Sequence, residues 1–160
     1  MIDGAELQQS VYVYKCSGCT VQVRGKCSNI VLDQCNKTGL VFDSVVAGVE
    51  LVNCQSVQVQ VRSYLLYLTI LISTQHILVQ VTGSAPTISV EKTDGCQMFL
   101  SQDSLGVNII SSKSSEMNVM IPGAEEFVEV PVPEQFMTTV SGTRLETRPV
   151  NHELLNLLTS

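Results

Sequence analysis

Apolar and polar residues alternate in short bursts along this chain, and the bursts recur. Val11, Val13, Val21 and Val23 alternate with Tyr12, Tyr14, Gln22 and Arg24. The grammar repeats through Ile30 and Leu32, then Leu40, Val41 and Phe42, then Val49, Leu51, Val57 and Val59 against Gln58 and Gln60. Later bursts run through Ile88, Val90, Met98, Phe99 and Leu100, and through Val107, Ile109, Ile110, Met117, Val119 and Ile121. Period-two alternation over such short lengths predicts strands with one buried face. No longer stretch carries the 3.6-residue apolar stripe of an amphipathic helix. Between the bursts lie Ser17-Gly18, Arg24-Gly25, Thr38-Gly39, Ala47-Gly48, Gly83-Ser84, Asp94-Gly95 and Pro122-Gly123. Glycine supplies positive φ without steric cost, so these pairs read as turns.

The bursts keep a fixed period. Cys16, Cys35 and Cys54 are 19 residues apart, each inside a similar phrase, and Thr93 follows Cys54 by 39. Ser112 lies 19 beyond Thr93 and extends the same count. A period near 20 residues is the mark of a solenoid. Strands stacked at that period predict an all-β parallel β-helix with coils of ~19 residues and inward residues in continuous ladders. The doubled step between Cys54 and Thr93 is explained by residues 61–80, which are 20 in number. After Gly123 the pattern changes. Residues 125–134 are extended and acidic with two prolines, and residues 135–147 read as a hairpin around Ser141-Gly142. Proline cannot donate to a ladder, so this segment belongs at an edge or in an exchanged arm.

Composition narrows the function classes. Charged residues make up only 15%, against the usual ~25%. The net charge of −6 and the absence of a Lys/Arg cluster argue against nucleic-acid binding. Tyr64–Ile72 is the longest apolar run and is far short of the ~20 residues of a membrane helix. Met1-Ile2-Asp3-Gly4 has neither the basic nor the apolar region of a secretory signal. Six cysteines admit a disulfide framework, a zinc site using Cys16, Cys19, Cys27 and Cys35, or small interior residues stacked coil on coil. Stacked, reduced thiols fit the pattern best. The two histidines, His76 and His152, lie in the 61–80 segment and in the tail, and Asp33, Asp43 and Asp94 fall at different coil phases. Neither set makes a general acid–base cluster, so no catalysis, cofactor or metal is expected.

Several phrases carry a resemblance. They are Val11-Tyr12-Val13-Tyr14-Lys15-Cys16, Thr38-Gly39-Leu40-Val41-Phe42-Asp43, residues 86–96, residues 113–119, and Val132-Pro133-Glu134-Gln135-Phe136. In this order they resemble the C-terminal domain of cyclase-associated protein. The resemblance implies a right-handed parallel β-helix that dimerises by exchanging a C-terminal hairpin and binds monomeric actin, preferring the ADP form. It implies a cytoplasmic protein of the actin cytoskeleton that supports nucleotide exchange on actin, with adenylyl cyclase reached only through regions outside this chain. On this reading residues 1–123 are the β-helix, 124–148 the dimerisation hairpin and 149–160 a divergent tail.

The chain departs from the family pattern in four places. It lacks the upstream WH2 and cyclase-binding regions. The ladder extrapolated backward falls before Met1, so the first coil reads as truncated, with an open sheet edge. Residues 61–80 have no counterpart, and removing them restores the 19-residue step. They read either as a retained intron or as a genuine extra coil. Tyr64–Ile72 does not alternate, so an extra coil there would expose large apolar groups. The tail from Val150 does not match the family ending.

Lys15, Lys37, Lys92, Asp94, Lys113, Ser115 and Glu116 recur near one coil phase and form the candidate actin-facing surface. Glu129, Val130, Pro131, Val132, Pro133, Phe136 and Leu145 are the candidate dimerisation residues. A second reading comes from tubulin cofactor C, whose relatives share the β-helix and use a Gln-x-Arg arginine finger to activate GTPases. Gln22-Val23-Arg24 has that form. A third is a splice isoform without function.

Overall fold

A computed structural model describes residues 1–6, 8–71 and 73–150. Its strands are β1 (Ile2–Ala5), β2 (Ser10–Tyr14), β3 (Thr20–Asp33), β4 (Gly39–Val52), β5 (Gln58–Leu71), β6 (Thr74–Val81) and β7 (Thr87–Glu91). They continue as β8 (Thr93–Phe99), β9 (Asn108–Ser112), β10 (Ser115–Pro122), β11 (Phe127–Pro131), β12 (Phe136–Ser141) and β13 (Arg144–Pro149). Among the described residues one 3-10 turn, Gln102–Ser104, interrupts them. β1 to β10 pair in parallel, each coil on the next, and the result is the parallel β-helix that the period predicts.

Stacking in register turns alternation into ladders. Ile30, Val49, Leu68 and Ile88 form one inward column, and Leu32, Leu51, Ile70 and Val90 its neighbour. Across the core stand Leu40, Val59, Val79 and Met98, then Phe42, Val61 and Val81. All of these side chains are buried. β3, β4 and β5 bend around a corner without leaving the sheet, and the register slips there, between Val23 and Lys26 and between Phe42 and Ser44.

The described residues of 61–80 stack as an in-register coil. Gln58–Val61 pairs with Leu78–Val81, and Tyr67–Ile70 pairs with Thr87–Val90. Leu65, Leu68, Ile70, Ile77 and Val79 all enter the core. The expected exposure is also present. Tyr64, Leu66 and Tyr67 face outward, because a run without alternation sends apolar groups both ways.

Two expectations need correction. The last step of the ladder is 21 residues, not 19, since Asp94 pairs with Ser115 and Thr87 with Asn108. The 3-10 turn at Gln102–Ser104 lies within that longer step, and Ser114 rather than Ser112 occupies the ladder position. Not every glycine serves a turn by positive φ. Gly39 begins β4 and Gly48 lies inside it, and neither has positive φ. Gly83 is required for close approach instead, because a Cβ there would meet the Ser63 carbonyl oxygen at 2.1 Å.

β11 folds back antiparallel on β10, with Val119 opposite Val130. β12 and β13 pair only with each other. The stretch expected as one dimerisation arm is therefore two pieces, a strand closing the β10 edge and a free-standing hairpin.

Leu68→Ala tests whether the extra coil is part of the cooperative core. Truncating a fully buried leucine costs about 2–5 kcal/mol, whereas a change in a loosely attached insert stays within about 0.5 kcal/mol. Urea denaturation of the two proteins is expected to show the larger loss.

Candidate functional site

The chain turns at one corner six times, and the same chemistry recurs there. The inward residue of each turn is Cys16, Cys35, Cys54, Thr74, Thr93 or Ser114. Cys35 Sγ donates to the Asp33 carbonyl at 3.6 Å, and Cys54 Sγ to that of Val52 at 3.4 Å. Thr93 Oγ1 donates to the Glu91 carbonyl at 3.1 Å, and Ser114 Oγ to that of Ser112 at 3.0 Å. The position selects a small side chain with one donor, which is why cysteine, threonine and serine interchange.

One residue on each side of this position is forced into left-handed backbone. Lys15, Gln34, Asn53, Ser73, Lys92 and Lys113 precede it, with φ between 50° and 55°. Gly18, Lys37, Ser56, His76, Gly95 and Glu116 stand two residues after it, again with positive φ. Between them runs a bridged row of Ser17, Asn36, Gln55, Gln75, Asp94 and Ser115. Sequence reading missed this conformation because most of these residues are not glycine, and only the period marks them.

All seven candidate surface residues lie in these three rows. Lys15, Lys92 and Lys113 share the first, Asp94 and Ser115 the middle one, and Lys37 and Glu116 the third. They form one ridge parallel to the solenoid axis, spanning five steps of ~4.8 Å from Lys15 to Lys113. The ridge is uneven. Its first two coils hold Lys15 and Lys37, its last two hold Lys92, Asp94, Lys113, Ser115 and Glu116, and the middle two are neutral. Asn53, Gln55, Ser56, Ser73, Gln75 and His76 fill that middle.

Local bonds tie the ridge down. Ser115 Oγ donates to Asp94 Oδ1 at 2.8 Å. The Glu116 amide donates to the Glu134 carboxylate, which fastens the start of the arm to the last corner. Lys15 Nζ sits 5.1 Å from the Tyr14 ring centre, and Lys92 Nζ lies 4.0 Å from Glu91 Oε1. Lys37 and Lys113 have no ion-pair partner among the described residues. Arg24, the alternative arginine finger, is exposed in β3 and away from this ridge.

The model of the family "Adenylate cyclase associated (CAP) C terminal" matches residues 1–70 and 68–152. The chain belongs to this family of cyclase-associated protein C-terminal domains. The two matched stretches overlap at residues 68–70. Human adenylyl cyclase-associated protein 2 is 42% identical over 149 residues, covering 93% of this chain and 27% of that protein. The Dictyostelium discoideum adenylyl cyclase-associated protein is 43% identical over 148 residues, 91% of this chain and 28% of its own length. Mouse adenylyl cyclase-associated protein 1 is 46% identical over 148 residues, with 92% and 27% covered. The chain thus spans about a quarter of the length of the curated relatives it matches. A crystal structure of cyclase-associated protein from Cryptosporidium parvum superposes with a TM-score of 0.79 at 26% identity, covering 91% of this chain and 94% of that one.

The arm of this cyclase-associated domain divides its candidate residues. Glu129, Val130 and Pro131 lie in β11 against the chain's own β10, and the Val132 amide donates to the Met117 carbonyl. Pro133 lines a shallow cleft with Lys113 and Ser114. Phe136 and Leu145 stand on the free hairpin, 54% and 69% exposed, with Val140 at 72%. The tail expectation for residues 151–160 lies outside the described residues. No helix among the described residues is long and apolar enough to cross a membrane.

The six cysteines are free thiols in several different columns. Only Cys16, Cys35 and Cys54 stack on one another; Cys27 stacks with Val45, and Cys96 with Ile77 and Met117. Burial raises the thiol pKa of Cys27 and Cys54, and pushes that of Cys96 to about 12 from an ordinary 9.0. The folded value lies above the unfolded one, so the contribution of Cys96 is complete below pH 9 and is lost as pH rises towards 12. Each unit in that window removes up to ~1.4 kcal/mol. Denaturation midpoints followed from about pH 8 to pH 11 should fall more steeply for the parent than for Cys96→Ser. Equal slopes would mean that Cys96 ionises freely in the folded state.

Proposed function

We propose that this chain is an actin-monomer-binding domain that acts as a homodimer in the cytoplasm and supports nucleotide exchange on ADP-actin. Family membership carries the reading. The ridge gives it a surface, since exposed lysines steer and hold an acidic partner such as actin. Lys92, Lys113, Asp94, Ser115 and Glu116 crowd its C-terminal end next to the root of the arm, so binding and dimerisation share one end of the solenoid.

Lys92→Glu combined with Lys113→Glu is expected to weaken binding to ADP-loaded monomeric actin by about tenfold or more at low salt. Binding of the parent should also weaken as ionic strength rises. The measurement is a fluorescence titration of labelled actin. Unchanged affinity in the double variant would remove the ridge from the interface.

The hairpin supports dimerisation. An isolated two-stranded hairpin is marginal in water, and β12–β13 carries Phe136, Val140 and Leu145 exposed, the last two opposite each other across the hairpin. Among the described residues β9 pairs only with β7, and no strand lies on its other edge. Strand addition from a second copy would satisfy both. Sedimentation velocity should give twice the 17.4 kDa of one chain. Val140→Glu with Leu145→Glu is expected to return the protein to a monomer. A monomer at all concentrations of the parent would refute hairpin exchange.

A further inference from the structure

We infer that the extra coil builds a binding groove for an arginine-bearing segment of a protein partner, on a different face from the lysine ridge. The groove encloses about 500 Å³, within the roughly 300–1,000 Å³ of ordinary binding clefts. Its floor opens at Gly48, which stands between Asn29 and Tyr67 in one outward row and contributes no side chain. Tyr12 and Tyr67 both line it, 62% and 38% exposed, and Glu50 supplies the carboxylate.

The charge of this groove has one sign. No lysine or arginine lines it, and Glu50 has no ion-pair partner among the described residues. Asp33 stands beside the rim. Its Oδ2 accepts from Tyr12 Oη at 2.7 Å and holds that ring, while its Oδ1 is buried with no hydrogen-bond partner. Lys15, just beyond β2, is engaged over the ring of Tyr14. The groups facing the groove from β2, β3, β4 and β5 are thus tyrosines, neutral residues and carboxylates. A guanidinium suits this set better than an ammonium. Its plane stacks on an aromatic face while its fork reaches a carboxylate, and it is less strongly hydrated.

Tyr67 and Thr69 belong to residues 61–80 and stack on Gly48 and Glu50. The next coil places Thr87 and Ser89 at these row positions. Without the extra coil the aromatic wall would be a threonine, so the groove is a property of the inserted coil.

The test is a titration of the isotope-labelled full chain with an acetylated, amidated Gly-Arg-Arg-Gly peptide and its lysine counterpart, followed by amide chemical shifts. Saturable shifts are expected at Gly48, Glu50 and Tyr67, with the arginine peptide bound more tightly. Glu50→Gln and Tyr67→Thr should each weaken it by about fivefold or more. Glu50 is exposed, so its variant leaves the core intact even where Tyr67→Thr perturbs it. Equal binding by parent and Glu50→Gln, shifts spread over acidic residues elsewhere, or no saturable shift would each overturn the proposal. So would shifts of the same amides on raising protein concentration without peptide, which would make the occupant a second copy.

Discussion

A single side-chain hydrogen bond at one corner governs the geometry of this solenoid. At the corners of Cys16, Cys35, Cys54, Thr93 and Ser114 the coil turns where a small donor, a thiol or hydroxyl, reaches the carbonyl two residues behind it. The residue between donor and carbonyl must then be left-handed, and so must the residue two positions on. Backbone amides leaving the corner find carbonyls of the adjacent coil, as Asn36 does with Cys16 and Gln55 with Cys35. Once the corner is fixed, the flanking strands stack in register and their inward residues close into columns. Left-handed backbone is unfavourable for most residues, at roughly 1–2 kcal/mol each. That the fold maintains it in coil after coil shows how far the ladder bonds and the packed core outweigh the local preference.

The same constraint explains why an additional coil can be accepted. Residues 61–80 bring their own corner threonine, Thr74, their own left-handed pair, Ser73 and His76, and their own inward residues. A segment that satisfies the corner rule stacks between two others without disturbing either, because each coil contacts only its neighbours. What it changes is the surface. Its corner residues Ser73 and Gln75 carry no charge and stand between the lysines of the first two coils and those of the last two. On another face the new coil sets Tyr67 beside Gly48.

The two ends of the molecule differ in kind. β11 covers β10 and meets the solenoid with Phe127 edge-on to Phe99, their ring centres 5.4 Å apart. The hairpin beyond it buries almost none of its apolar residues. This cyclase-associated domain places its best-defined charge cluster and its most exposed apolar surface at one end.

The sequence by itself determined the coil. Alternation set inward and outward faces, the spacing of Cys16, Cys35 and Cys54 set the period, and the surplus of 20 residues located the extra turn, because local periodicity is written residue by residue. Lys15 and Lys92 each precede a ladder residue, so their shared row was legible for the same reason. The ladder from Thr93 onward was not, since a 3-10 turn lengthens that coil and carries the corner to Ser114. Nor were the left-handed lysines and histidine legible, because their conformation is imposed by neighbouring coils and not by residue type. The division of the arm into a docked strand and a free hairpin, and the gap over Gly48, depend on which residues lie side by side from coils some 20 positions apart. Tertiary stacking decides such contacts, and a linear pattern carries no record of them.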